Sequence, residues 1–151
     1  MHSTNESAGN GTSLTDKVMQ FTGTVVRLLD EAKQPGFEDT GWAPLAELVA
    51  TQEFERVGIW REVMNWQEFV SFQTQFARRK GLETRVLRIT EAASKVFYEI
   101  EERHITDSKV NVVNSMNVFD FNEDGKIRRM DIYIQGVVEP SIPLQAMRFR
   151  P

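Results

Sequence analysis

Apolar residues in the first half of the chain recur at the three-and-four spacing of helices. After Ser13-Leu14-Thr15-Asp16, which has the form of a capping box, Leu14, Val18, Phe21, Val25 and Leu28 share one face and predict an amphipathic helix from 14 to about 29. Pro35 and Gly36 break it. Residues 42–50 (WAPLAELVA) predict a short second helix with Pro44 in its first turn. Residues 51–59 fit a short strand. A third helix is predicted over 63–80, with Trp66, Phe69, Val70, Phe72 and Phe76 on one broad face and Gly81 as its end.

Beyond residue 82 the period changes from helical to alternating. The runs 82–91, 94–105, 109–121 and 126–138 are rich in β-branched and aromatic residues and are bounded by turn residues. Four strands in series with short turns predict an antiparallel meander, and helices segregated from strands predict an α+β fold. Residues 1–12 (MHSTNESAGNGT) are polar and rich in Gly, Ser and Asn, which predicts a flexible tail ahead of one domain over 13–151. Residues 140–151 carry Pro140, Pro143 and Pro151 and are expected to pack along an edge or interface.

Composition narrows the function classes. At 151 residues, 40% apolar and 26% charged, the chain matches one ordinary globular domain. The net charge of −4, with no basic run longer than Arg78-Arg79-Lys80, argues against nucleic acid as a partner. The absence of cysteine excludes disulfides and thiolate chemistry and suits a reducing, cytoplasmic setting. No apolar run approaches the roughly 20 residues that span a bilayer, so no membrane association is expected.

One motif competes with the hairpin reading. Asp120, Asn122, Asp124, Gly125, Ile127 and Asp131 match positions one, three, five, six, eight and twelve of an EF-hand calcium loop. Such a loop needs flanking helices, whereas VNVVNSMNVF before it and IYIQGVV after it alternate as strands. The residues fit a hairpin turn at 122–125 with Gly125 supplying the positive φ, and no metal site is expected.

The order of elements, closing on the hairpin VFDFNEDGKIRRMDIYIQ, resembles the nuclear-transport-factor-2-like superfamily over about residues 14–138. The likeness is to its SnoaL-like, ketosteroid-isomerase-like and limonene-epoxide-hydrolase-like members. It implies a cone in which three N-terminal helices pack in the concave face of a strongly curved antiparallel sheet around a pocket. Because this fold hosts many activities, the resemblance speaks to architecture more than to reaction.

Alternation then selects candidate chemistry. Val96, Tyr98, Ile100, Glu102 and His104 share one face of the second strand run, and Glu102 and His104 form a carboxylate–imidazole pair suited to general acid–base work. Against this, a strand end beside the 105–109 turn can leave both in solvent. By the resemblance, Asn117 stands where an oxyanion donor sits, and Glu55, with Glu53 nearby, in the segment that carries a proton-shuttling carboxylate. Only one of Phe54 and Glu55 can point inward. Phe21 replaces the oxyanion-hole tyrosine of that subfamily, and Tyr98 is either its substitute or a core or rim tyrosine, the commoner outcome. Ile100 and Ile132 stand where the epoxide-hydrolase pattern needs an arginine and a second acid. The substrate pocket is expected from Phe21, Trp60, Trp66, Tyr98, Ile100, Phe119, Met130 and Ile132.

The resulting expectation is a cofactor-independent, SnoaL-like enzyme acting by proton transfer, of isomerase, dehydratase or cyclase type. Its substrate would be a hydrophobic, steroid- or polyketide/terpenoid-like small molecule. The alternative is a non-catalytic small-molecule-binding or dimerisation module of the same fold. Tyr133, Val112 and Val118 on the outward face predict a homodimer.

Overall fold

The computed structural model describes residues 13–137 and 146–149. The tail 1–12 and most of the proline-bearing segment 140–151 lie outside the described residues. Helix α1 (Leu14–Ala32) buries Val18, Phe21, Leu28, Leu29 and Ala32, the stripe its spacing predicts. Its N-terminus is capped by the Ser13 hydroxyl, which accepts from the Asp16 backbone N–H at 3.0 Å.

The second helix is shorter than its sequence suggests. A 3₁₀ turn (Asp39–Trp42) leads into α2 (Ala43–Ala46), where the helix stops. Residues 48–50 bond instead to Ile127: its N–H donates to Leu48 O at 3.0 Å, and the Ala50 N–H donates to Ile127 O at 2.9 Å. A parallel bridge to the sheet thus outweighs continued helix.

Strands β1 (Glu55–Val57) and β2 (Val63–Met64) form a small hairpin, and helix α3 (Trp66–Arg79) follows. Helix α3 begins three residues later than predicted because Asn65 caps it: Asn65 Oδ1 accepts from the Glu68 N–H, and Glu68 Oε1 accepts from the Asn65 N–H, both at 2.9 Å. Gly81 is not its cap. Lys80 is already extended, at φ −138 and ψ 147, and Gly81 opens the next strand.

The meander β3 (Gly81–Ala92), β4 (Lys95–Thr106), β5 (Lys109–Phe121) and β6 (Ile127–Gln135) matches the four predicted runs within a few residues. Together the strands make one sheet in the order β2-β1-β6-β5-β4-β3, antiparallel except where β1 runs parallel to β6. Between β5 and β6 the expected hairpin turn is present, with Gly125 at φ 73. Asn122 Oδ1 accepts from the Asp124 and Lys126 N–H groups, each at 3.0 Å. Asp120 pairs with Lys95, so the calcium-like motif is a strand-flanked turn.

The concave face meets α1 through a stacked aromatic core. Phe21 lies edge-on to Phe119 at 5.6 Å, and Tyr98 to the same ring at 6.2 Å. On the opposite face of β3 and β4, charge dominates: Arg85 pairs with Glu101 at 3.2 Å and Arg88 with Glu99. At the other edge, residues 146–149 run along β2, with the Val63 N–H donating to Arg148 O at 2.6 Å and Phe149 bridged to Glu62. No described helix is long and apolar enough to cross a membrane.

Two features of this packing are testable. A Cβ on Gly58 would lie 1.7 Å from Glu62 Oε1, a carboxylate otherwise held by Arg56 and the Trp60 N–H. Gly58→Ala should therefore lower the unfolding free energy in urea by about 3 kcal/mol, the scale of a broken buried pair. Gly23→Ala in α1, where a Cβ meets nothing within 4 Å, should instead stabilise by roughly 0.5–1 kcal/mol. The second feature is Tyr98. Burial pushes its hydroxyl above the ordinary 10.0, a hydrogen bond with Thr22 opposes the shift, and the charge of Glu102 adds to it. The unfolded phenol ionises first, so stability from Tyr98 is complete below pH 10.0 and is lost as pH rises through the folded value. In a Tyr133→Phe variant, ultraviolet titration should show the remaining phenolate appearing above pH 10.0 together with loss of circular dichroism.

Candidate active site

The inner faces of β4, β5 and β6, one side of α3 and the β1–β2 turn enclose a cleft of about 170 Å³. At roughly 10–15 Å³ per water on this measure it has room for on the order of ten waters. Met64, Phe69, Phe72, Phe76, Met130, Ile132 and Ile134 form much of its apolar wall. Into that wall project five ionisable side chains, Arg56, Glu62, Lys80, Glu102 and His104, together with the amides of Gln73 and Asn117.

Glu102 and His104 meet as their spacing on β4 predicts. Both point to the concave side, and Glu102 Oε2 lies 2.8 Å from His104 Nε2. One proton sits between them whichever group holds it. Neither is left in solvent, with side chains only 14% and 10% exposed. The imidazole stands edge-on to Phe76 at 5.9 Å, and its buried Nδ1 has no hydrogen-bond partner among the described residues.

Across the cleft sits a second charged pair. Arg56 lies within 3.7 Å of Glu62 Oε1, and its guanidinium rests 5.0 Å above the Phe72 ring. Glu62 Oε2 also accepts from the Trp60 N–H at 3.0 Å. Burial lowers the Arg56 pKa, while the fields of Glu62 and then Glu102 raise it. Arg56 remains a cation, and its field reaches the Glu102 carboxylate.

Asn117 is 7% exposed and lines the same cleft, and no side-chain hydrogen bond ties its amide to another described residue. It pairs with Tyr98, four residues from Glu102 along β4, which corresponds to about 13 Å of strand at 3.3 Å per residue.

Other expected site residues are placed differently. Glu55 is exposed in β1 and does not line the cleft, nor does Glu53, whose carboxylate accepts from Asn122 Nδ2 at 3.2 Å. Phe54 takes the inward position, buried against Trp66 and Phe69 at 5.6 and 5.4 Å. Of the expected pocket residues, Trp60, Met130 and Ile132 line this cleft. Phe21, Tyr98, Ile100 and Phe119 do not, because they are consumed in the core beneath α1, and Trp66 is held between Phe54 and Phe69.

Sequence reasoning missed Arg56, Glu62 and Lys80. Arg56 was within reach, since it shares parity with Phe54 and must face inward once Phe54 does. Glu62 lies on a turn and Lys80 at a helix end, where no period applies.

No protein-family model matches this sequence, and no curated protein matches it. Solved structures do. An LEH-like epoxide hydrolase of M. tuberculosis superposes with a TM-score of 0.54 at 14% identity, covering 75% of this chain and 84% of its own. A steroid delta-isomerase from Pseudomonas aeruginosa gives 0.57 at 9% identity, over 82% of this chain and 80% of that one. An NTF2-like protein of unknown function from Cytophaga hutchinsonii gives 0.58 at 10% identity, over 84% and 94%. At such identities the likeness concerns architecture, and it agrees with the sheet order and helix placement described above. The chain has the nuclear-transport-factor-2-like fold.

Proposed function

We propose that this chain is a cofactor-independent enzyme that moves protons on a hydrophobic, steroid- or polyketide/terpenoid-like small molecule, as an isomerase, dehydratase or cyclase does. The observation that carries this reading is the 2.8 Å Glu102–His104 pair inside an otherwise largely apolar cleft. Glu102 takes a proton from carbon α to a carbonyl, and the electron pair moves onto the carbonyl oxygen. Asn117 donates a hydrogen bond to that developing oxyanion; in a β,γ-unsaturated substrate the oxygen's electron pair then re-forms the carbonyl, the double bond shifts to the α,β position, and Glu102 returns the proton to the γ carbon. Arg56 supplies a fixed positive charge in the same cleft. Similarity to a steroid delta-isomerase supports this class of reaction. The variety of chemistry on this fold makes the site's own geometry the stronger support.

The reaction class can be tested without knowing the natural substrate. Exchange of α-protons for deuterium in a panel of alicyclic ketones, followed by NMR, should be accelerated by the protein. Glu102→Gln should slow it at least about 10²-fold, the usual scale of a lost general base. His104→Asn should slow it less. If ketones bind but exchange no faster than in buffer, the binding-module alternative holds, and full turnover by Glu102→Gln would remove the role assigned to that residue.

The chain is further proposed to act as a homodimer through the outer sheet face. Tyr133 and Val112 are 61% and 45% exposed there, and Tyr133, opposite Met116, falls in register between Val112 and the half-buried Val118. Light scattering at micromolar concentration should give twice the chain mass, and Tyr133→Lys should halve it.

A further inference from the structure

The charged groups of the cleft are not all directly partnered. Arg56 has Glu62 at 3.7 Å, and Glu102 has its hydrogen bond with His104 at 2.8 Å. Lys80 has no such answer. It follows the last turn of α3 and lines the cleft beside Leu82, with its ammonium 5.9 Å from the centre of the Phe76 ring. Among the described residues no carboxylate lies within ion-pair distance of it, although exposed lysines and arginines elsewhere pair readily, as Arg148 does with Glu68. The side chain is half-buried and stands at the rim, lining both the cleft and the shallow hollow beside Arg78 and Asp107, so its stem can lie along the apolar wall with its charge within reach of a ligand.

From this we infer that the cleft takes an apolar carboxylic acid, with its carboxylate on Lys80 and its hydrocarbon body over Phe72, Phe76 and Met147. Among the described residues Lys80 is the cleft cation without an ion-pair partner, and an anion there would supply one beside an apolar wall that strengthens the contact. A neutral ligand of the same shape would gain only the apolar part. A cationic one would meet Lys80 with like charge at the rim, while Glu62 and Glu102 are already engaged by Arg56 and His104. The inference rests on reading the cleft as a substrate site and adds the chemical class of what enters it. Combined with the Asn117 amide deeper in, it describes an oxo-acid: a carboxylate near the mouth and a carbonyl toward the sheet.

Calorimetric titration with decanoate, 1-decanol and decylamine, chain-matched probes differing only in head group, separates the possibilities. Decanoate should bind at least tenfold more tightly than either of the others. Lys80→Met should abolish that preference while leaving decanol affinity unchanged, and Lys80→Arg, which keeps the charge, should retain it within a few-fold. Thermal melts of both variants identify any loss of fold, and the arginine variant carries the test if the methionine one unfolds. Equal affinity for the three probes, no detectable decanoate binding, or a preference untouched by Lys80→Met would each overturn the inference. Glu102→Gln keeps the two ideas apart. It should lose proton exchange yet keep the Lys80-dependent preference for decanoate, so a protein that exchanges protons without preferring acids refutes only the ligand class.

Discussion

Register governs this site. Side chains of β4, β5 and β6 alternate between a concave face under the helices and a convex face toward solvent, so a slip of one residue would expel Glu102, His104 and Asn117 together. The slip is prevented by the apolar members of the same rows: Val96, Tyr98 and Phe119 are locked beneath Phe21, and Met130 and Ile132 sit opposite α3. The polar groups themselves contribute little to this specification. They are carried into the cleft by neighbours whose burial costs nothing, so a reactive constellation can persist in a place where polar groups would otherwise be expelled.

Around that frame the cleft concentrates charge in a way that needs support. A carboxylate and a guanidinium withdrawn from water are stable only when each is held on several sides. Glu62 is gripped by the Trp60 N–H and Arg56, in a space that only a glycine at 58 leaves open. Arg56 has an aromatic ring on one side and two carboxylate fields on the others. The β1–β2 turn is thus the electrostatic counterpart of the aromatic core: short, with Arg61 at φ 70, and placed so that its backbone as well as its side chains serves the cleft.

How far this was legible in the sequence depends on which physical rule applied. Long strands advertise themselves through period two, and the β3–β6 meander, its tight Gly125 turn and the shared face of Glu102 and His104 all follow from it. Helix α1 was equally plain from its stripe. Trouble arose wherever distant backbone competed with local preference, as at residues 48–50, which leave a helical pattern to bond Ile127. Glu55 illustrates a different difficulty. Resemblance favoured it, but three residues of strand give too short a pattern to fix parity, and the bulk of Phe54 in the aromatic cluster decided the matter. Whether an aromatic such as Tyr98 or Phe119 faces a hollow or fills it is a question of volume, which a string of letters does not contain.

The sheet's two borders are treated differently. One ends in the two-residue β2, whose free side is taken up by residues 146–149. The other is β3, twelve residues long and the last strand of the sheet among the described residues. A border of that length, left uncovered, is a template for fibril growth. Here it carries Glu83, Arg85, Arg88 and Glu91, all exposed, so an incoming copy of the same strand would have to desolvate a row of charges before gaining a single backbone bond. The chain therefore has a built-in barrier to runaway polymerisation, and at high concentration it should stay in solution for a reason unrelated to whatever its cleft does.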